Sequence, residues 1–212
     1  PLRSAGRLLV DNGSINIEGV TCSLGTVGCV NGGNFIMTGG ANVCVNGDTL
    51  DLNSFTNFSQ TTGTLRFYGN NDKVFIPFPG VTLPQLIVLG PGNVTMKANS
   101  VISGIVTLSG GSLVSEGSMI VTGNLTATLP LVMLGDSLDL SGSGTIATTG
   151  TIAFSKTFGT QVFIPKNATT HPDIIHNGAS RLEITDNALT ARSFLQNAGE
   201  LDLNGLSLTI TV

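Results

Sequence analysis

Charged residues are scarce in this sequence. Of 212 residues, 9 are Lys or Arg and 13 are Asp or Glu, so charged residues make up 10% of the chain, against about 25% in an average soluble domain. Nine basic residues are too few for the extended basic surface that holds a phosphate backbone. We therefore expect no nucleic-acid partner.

Long hydrophobic runs and large aromatic residues are also missing. No apolar segment approaches the roughly 20 residues of a membrane span, so we expect no membrane insertion. There is no Trp, and Tyr68 is the one Tyr, which gives weak support to sugar binding through stacked aromatic rings. The chain begins at Pro1 without an initiator Met or a signal-type segment, which predicts a mature chain or a fragment of a longer protein.

Cysteine is limited to Cys22, Cys29 and Cys44, all in the first quarter of the chain. An odd number of cysteines cannot pair completely. The histidines, His171 and His176, lie far away in the sequence and no Cys-x-x-Cys occurs, so we expect no metal site. A disulfide between two of the three cysteines and a set of buried free thiols remain equally open.

What the chain does contain is Gly (28 residues) and many Thr, Ser and Asn residues, together with 41% hydrophobic residues. The hydrophobic residues are mostly Val, Ile and Leu, which can build a core in a chain of this length. This content argues against disorder, because disordered chains are poor in aliphatic residues and rich in charge.

The sequence repeats itself at a period of about 88 residues, which is the typical sign of a repeat architecture. Four pairs of segments carry the period: VFIP at 74–77 and 162–165, PQLI at 84–87 and PDII at 172–175, GDTLDL at 47–52 and GDSLDL at 135–140, and TTGTLRF at 61–67 and TTGTIAF at 148–154.

Short strands are predicted throughout the repeats. Segments of three to six residues alternate apolar and polar positions, as in LDL at 201–203 and LSLTITV at 206–212, and turn residues separate them. An alternation of period two is typical of strands. Residues 189–196 form the one segment for which a helix is an alternative.

Evenly spaced short strands fit a sandwich, a barrel or a β-solenoid, and the repeat favours the solenoid. We predict an all-β chain, a parallel β-solenoid (right-handed β-helix) built from repeats of about 88 residues. Residues 1–212 would form a single solenoid, with irregular cysteine-bearing coils at 1–46, a first long repeat at 47–134 and a second, incomplete repeat at 135–212.

Two segments resemble a known family. The sequence NAGELDLNGLSLTI at 197–210, and the sequence LIVLGPGNVTM at 86–96 with VTL at 106–108, are similar to the repeated elements of secreted bacterial β-helix proteins of the Bacteroidota type. The resemblance covers most of the chain and implies a large exported surface or adhesin-type protein. The cysteine-bearing region departs from the family pattern.

Acidic pairs are the main candidates for catalysis, and the sharpest alternative is a pectate-lyase-like enzyme that degrades polysaccharides. Asp48 and Asp51, or Asp136 and Asp139, could each share a turn. The 13 acids are scattered, however, and we interpret both pairs as turn residues beside strands. We place the two histidines in solvated loops, and we expect no catalytic, cofactor-binding or metal-binding residue.

Thr49 and Ser137 are candidate O-glycosylation sites. Each lies in an Asp-Ser/Thr-Leu sequence at the same position of the long repeat, and such sequences resemble acceptor sites in secreted Bacteroidota-like proteins. A plain Asp-Thr or Asp-Ser turn is the simpler interpretation of both segments.

The predicted function is therefore structural or adhesive and not enzymatic. We expect an extracellular or cell-surface module, such as a stalk, a surface-layer unit or a filament subunit. Its partners would be further repeats of the same chain or other copies stacked end to end, and also surface glycans. An ice-binding face remains an alternative, but Thr-x-Thr segments do not occur once per predicted coil.

Overall fold

The computed structural model describes residues 8–10, 13–18, 21–24, 27–29, 33–38, 40–60 and 63–211. Side chains are described from residue 33 onward, with the exception of Gln60.

The described residues form 28 short strands and no helix. The first nine are β1 (Leu8–Val10), β2 (Gly13–Glu18), β3 (Thr21–Leu24), β4 (Val27–Cys29), β5 (Gly33–Thr38), β6 (Ala41–Val45), β7 (Thr49–Asp51), β8 (Asn57–Gln60) and β9 (Gly63–Phe67). The next ten are β10 (Lys73–Ile76), β11 (Thr82–Leu83), β12 (Gln85–Val88), β13 (Val94–Met96), β14 (Ser100–Ile102), β15 (Val106–Leu108), β16 (Leu113–Ser115), β17 (Met119–Val121), β18 (Leu125–Ala127) and β19 (Leu131–Met133). The last nine are β20 (Ser137–Asp139), β21 (Ile146–Thr148), β22 (Thr151–Phe154), β23 (Thr160–Ile164), β24 (Thr170–His176), β25 (Arg181–Ile184), β26 (Leu189–Gln196), β27 (Glu200–Asp202) and β28 (Leu208–Ile210).

These strands build a column with three sides, which the chain visits in turn. Face I is an eleven-stranded sheet in the order β1-β4-β7-β10-β13-β16-β19-β22-β24-β26-β28. Face II consists of the three-stranded sheet β2-β5-β8 followed by the seven-stranded sheet β11-β14-β17-β20-β23-β25-β27. Face III is the seven-stranded sheet β3-β6-β9-β12-β15-β18-β21.

The pairing confirms the predicted parallel β-solenoid and excludes a sandwich of antiparallel strands for this part of the chain. Neighbouring strands run parallel on all three faces, and paired residues lie 18 to 25 positions apart, as in Leu113↔Leu131 and Thr49↔Val74. One turn of the column therefore takes about 20 residues. Eleven strands stacked at about 4.8 Å give a length of about 48 Å along face I.

Inward side chains form continuous ladders along the column. On face III, Leu65, Leu86, Val106 and Leu125 occupy successive positions of one ladder, and each is fully buried. Each buried aliphatic side chain stabilises the fold by about 1.5–3 kcal/mol. The core thus extends without interruption from turn to turn and has no separate centre.

Glycine permits the close approach of successive coils at the corners. A Cβ atom built on Gly123 would lie 1.9 Å from the carbonyl oxygen of Gly104 in the preceding coil. Corner asparagines also tie successive coils together: Oδ1 of Asn99 accepts the N–H of Ser118, and Oδ1 of Asn124 accepts that of Thr145, both at 2.8 Å. The high Gly and Asn content follows from this stacking.

The 88-residue repeat does not return to the same face. Thr49 begins β7 on face I, whereas Ser137, 88 positions later in the sequence, begins β20 on face II. β20 is the thirteenth strand after β7, which corresponds to four coils of three strands plus one additional side. Equivalent residues of the two long repeats therefore lie about a third of a turn apart.

Local hydrogen bonds are nevertheless conserved between the two repeats. The N–H of Val74 donates to the carbonyl of Asp48 at 2.8 Å, and the N–H of Val162 donates to that of Asp136 at 2.8 Å. The same local backbone contact is thus formed on face I in the first repeat and on face II in the second.

Faces III and I merge near the C-terminal end of the described chain. β24 pairs with β22 only through its last four residues, whereas it pairs with β26 along its whole length except at Pro172. Pro172 interrupts the pairing between His171 and Asp173, because proline has no N–H to donate. Residues 189–196, for which a helix was the alternative, form the long strand β26.

Candidate functional site

The two candidate O-glycosylation residues occupy equivalent but separate positions. Thr49 and Ser137 are both half-buried and each begins a strand, while the preceding Asp48 and Asp136 are exposed. The two hydroxyls lie on different faces of the column, and modification of either remains a prediction.

Cys44 is the one cysteine whose side chain the structure describes, and it is a buried free thiol. Cys22 lies on β3, where Ser23 is paired with Cys44 and Cys22 with Val43. The side chains of Cys22 and Cys29 lie outside the described part, so a disulfide involving them stays a prediction.

The candidate acidic pairs act as turn residues where the structure describes their contacts. Oδ1 of Asp51 accepts the N–H of Ser54 at 3.0 Å, and Oδ1 of Asp139 accepts the N–H of Ser141 at 2.8 Å. Asp136 lies at the opposite end of β20 from Asp139 and is paired with Lys156. Asp136 and Asp139 therefore do not converge on one site.

The placement of the two histidines in solvated loops is wrong. His171 and His176 both lie in β24, and their relative exposures are 1% and 0%. His176 continues an inward ladder directly above Phe154. Burial lowers the pKa of His176, against the smaller opposing effect of a backbone hydrogen bond with Ser180.

His171 is held as a neutral imidazole. Its Nε2 accepts the N–H of Lys166 at 3.1 Å, so the proton of the neutral ring is assigned to Nδ1, which lies 3.0 Å from the carbonyl oxygen of Thr190. Burial lowers the pKa of His171, against the smaller opposing effect of the Thr190 carbonyl. Both ring nitrogens are occupied, so His171 has a structural role.

A groove at the corner between faces I and II is the strongest candidate for a functional site. It has a volume of about 470 Å³. The corner takes three residues in three successive coils, at 97–99, 116–118 and 134–136, but five residues at 155–159 in the next coil. The longer corner projects beyond the others and forms one wall of the groove.

Two ion pairs between coils hold the polar side chains of this corner. Nζ of Lys97 lies 2.5 Å from Oε1 of Glu116, and Nζ of Lys156 lies 2.5 Å from Oδ1 of Asp136. Lys156 also donates to the carbonyl of Thr160 at 2.8 Å within its own corner, while its pair with Asp136 ties that corner to the preceding coil. Each carboxylate at the groove is therefore matched by a lysine.

Phe158 is the most exposed large hydrophobic residue among the described side chains. It lies at the projecting corner with a relative exposure of 76%, and Nζ of Lys156 is 5.9 Å from its ring centroid. Leu134, 37% exposed, also lines the groove. The groove thus combines an open aromatic ring with carboxylate, amide and hydroxyl groups.

No motif or repeat pattern in the sequence pointed to Glu116, Lys156 or Phe158 as site residues. One signal could have found Phe158: at the offset of 88 residues it replaces Asn70 of the first repeat. A phenylalanine in place of an asparagine in an outward turn has no core to fill, and this distinguishes it from the phenylalanines that do pack inside.

Further charged residues form a separate cluster on face I. The guanidinium of Arg192 donates two hydrogen bonds to the carboxylate of Asp173, at 2.9 and 2.6 Å, and Ser193 donates a third at 2.6 Å. The hydrogen bond from Arg192 is the largest cause that lowers the pKa of Asp173 to about 2. The carboxylate of Asp173 is thus ionised, and it already accepts hydrogen bonds from Arg192 and Ser193.

Within the described residues, no three His, Cys, Asp or Glu side chains come together as a metal site. The same part of the chain has no helix that could cross a membrane.

The fold defines this chain as a three-sided parallel β-solenoid. No protein-family model matches it, and neither a curated protein nor a solved structure does.

Proposed function

We propose that this chain is a non-enzymatic extracellular structural module, a rigid spacer within a stalk, surface layer or filament. The observation that carries the proposal is the continuity of the column. Ladders of paired strands and buried side chains extend through the described chain, so a pull along the axis is resisted by hydrogen bonds at each coil. Low charge favours the same role, because like charges stacked at about 4.8 Å would repel.

The last coil supports stacking onto a further coil. Among the described strands, β27 and β28 each have a partner on one side only. Leu201, Leu203 and Leu206 are half-buried there, whereas leucines inside the column are fully buried. Another coil, from the same chain or from a second copy, would cover these side chains and pair the outer backbone groups.

Electron microscopy of the purified protein over a range of concentrations tests end-to-end stacking. We expect rods that lengthen beyond about 48 Å as concentration rises. Leu206→Lys at the last coil should shorten them, whereas Ile120→Lys on the outer surface of face II should not. Uniform short rods at high concentration would contradict self-stacking and leave continuation within one chain as the remaining form of the proposal.

The absence of catalysis belongs to the same proposal. The carboxylates of Asp51 and Asp139 are occupied by turn contacts, and that of Asp136 by Lys156. A panel of polysaccharides should be recovered intact after incubation with the protein. Depolymerisation that is lost in Asp136→Ala or Asp139→Ala would overturn this part and favour a polysaccharide-degrading β-helix enzyme.

A further inference from the structure

We propose that the corner groove between faces I and II binds a neutral oligosaccharide built of pyranose rings. This inference goes beyond the mechanical role and does not depend on whether the column stacks end to end. It rests on three features of the groove: its open aromatic ring, its balanced charge and its length.

The exposed aromatic ring is the first of these three features. A phenyl group exposed to water is unfavourable unless something covers it, and Phe158 is 76% exposed. The C–H groups on one side of a pyranose ring form an apolar patch that fits flat against a phenyl face, while its hydroxyls point sideways to polar partners. Nζ of Lys156, which is held by Asp136 and by the Thr160 carbonyl, lies over the ring at 5.9 Å from its centroid.

The charge of the groove favours a neutral ligand. The lining includes two acids, Glu116 and Asp136, and each has a lysine at 2.5 Å. A charged ligand would meet no unmatched opposite charge among these lining side chains, because a lysine already neutralises each acid. Sugar hydroxyls can instead donate to the outward oxygens of these carboxylates while the pairs stay formed.

The length of the groove fits a short chain of sugars. Its lining residues come from four successive corners, from Asn99 in the first to Phe158 in the fourth. Three steps of about 4.8 Å give about 14 Å, the length of about three linked pyranose rings. The volume of about 470 Å³ lies within the range of small-ligand sites, about 300–1,000 Å³.

The test is calorimetric titration with three neutral hexasaccharides, namely cellohexaose, mannohexaose and xylohexaose, each at up to about 10 mM. We expect at least one to bind. Phe158→Ala should weaken that binding by about three- to tenfold or more, in line with the value of an aromatic contact. The control Leu195→Ala, which trims another exposed apolar side chain, should bind as the wild type does.

Three outcomes would overturn the proposal: no binding of any hexasaccharide, equal binding by Phe158→Ala and wild type, or a preference for polygalacturonate over the neutral chains. Phe158 is exposed, so its variant should unfold at the same urea concentration as the wild type, and this measurement separates loss of the site from loss of the fold. Calorimetry measures sugar binding and electron microscopy measures rod length, so an absence of sugar binding would not contradict the stacking proposal.

Discussion

Lys73 and Gln161 perform the same task at equivalent positions of the two long repeats, although they lie on different faces. Nζ of Lys73 donates to the carbonyls of Asn46 and Asn71, both at 3.3 Å. Nε2 of Gln161 donates to the carbonyls of Met133 and Gly135, at 3.0 and 2.7 Å. In each case a buried side chain satisfies two carbonyls at a corner of the column.

The first prediction exploits this equivalence. Lys73→Gln should keep the free energy of unfolding within about 1 kcal/mol of the wild type, because a glutamine amide can still donate to a corner carbonyl, as Gln161 does with its own two acceptors. Lys73→Met should lower it by about 1–3 kcal/mol, because the two corner carbonyls lose their donor. Urea denaturation at pH 7 measures both, and equal stability of the two variants would contradict the prediction.

Acidification provides the second prediction. His171 and His176 have lowered pKa values in the folded chain, so the unfolded chain takes up protons first as the pH falls through the ordinary value of 6.5. Stability should be fully present above that pH and decrease progressively below it. His176→Phe, which removes a buried titratable ring and places a second phenyl ring above Phe154, should reduce the slope.

Denaturation curves between pH 7.5 and pH 5 measure this slope. His171→Phe serves as the comparison, because it removes two existing hydrogen bonds and should be less stable than the wild type already at pH 7.5. A His176→Phe variant that loses as much stability on acidification as the wild type would refute the role given to His176.

A second acid step should follow at lower pH. The pKa of Asp173 is lowered from 3.8 to about 2, so its contribution to stability is present above 3.8 and is lost as the pH falls towards 2. Asp173→Asn should therefore be less stable than the wild type at pH 5, and the difference should shrink below pH 3. A difference that stays constant down to pH 2 would show that Asp173 does not act through its charge.

The close stacking of coils leads to a prediction on glycine. Gly123→Ala would place a Cβ 1.9 Å from the Gly104 carbonyl oxygen, whereas Gly142→Ala would meet no atom nearer than 3.5 Å, the Cγ2 of Thr122. We expect Gly123→Ala to lower the unfolding free energy by about 1–3 kcal/mol and Gly142→Ala to leave it nearly unchanged. Melting temperatures of the two variants, measured side by side, provide the comparison.

The stacked-strand column could be predicted from the sequence, but the face of the column on which each repeat residue lies could not. The 88-residue period and the alternation of apolar residues indicated stacked strands, because both patterns are properties of the chain alone. The number of residues per coil varies between 18 and 25, and it depends on how each corner packs. Without that number, Thr49 and Ser137 could not be assigned to different faces.

The groove and the burial of the two histidines could not be predicted from the sequence either. Pro172 and the Asn-Gly pair at 177–178 predicted loops around His171 and His176, yet Pro172 is tolerated inside β24 because only its own missing N–H interrupts the pairing. Phe158 belongs to a corner whose projection follows from its length relative to three other corners. Such relations between coils arise only once the strands are in register.

Cysteine cross-linking between successive coils tests the central claim most directly. In a variant with the native cysteines replaced by serine, Thr107→Cys and Thr126→Cys stand on paired positions of face III, about 4.8 Å apart and within the range that a disulfide spans. The account predicts that mild oxidation joins this pair and leaves Thr107→Cys with Ile120→Cys on face II unjoined. Failure of the first pair to form, or formation of the second instead, would contradict the three-sided column.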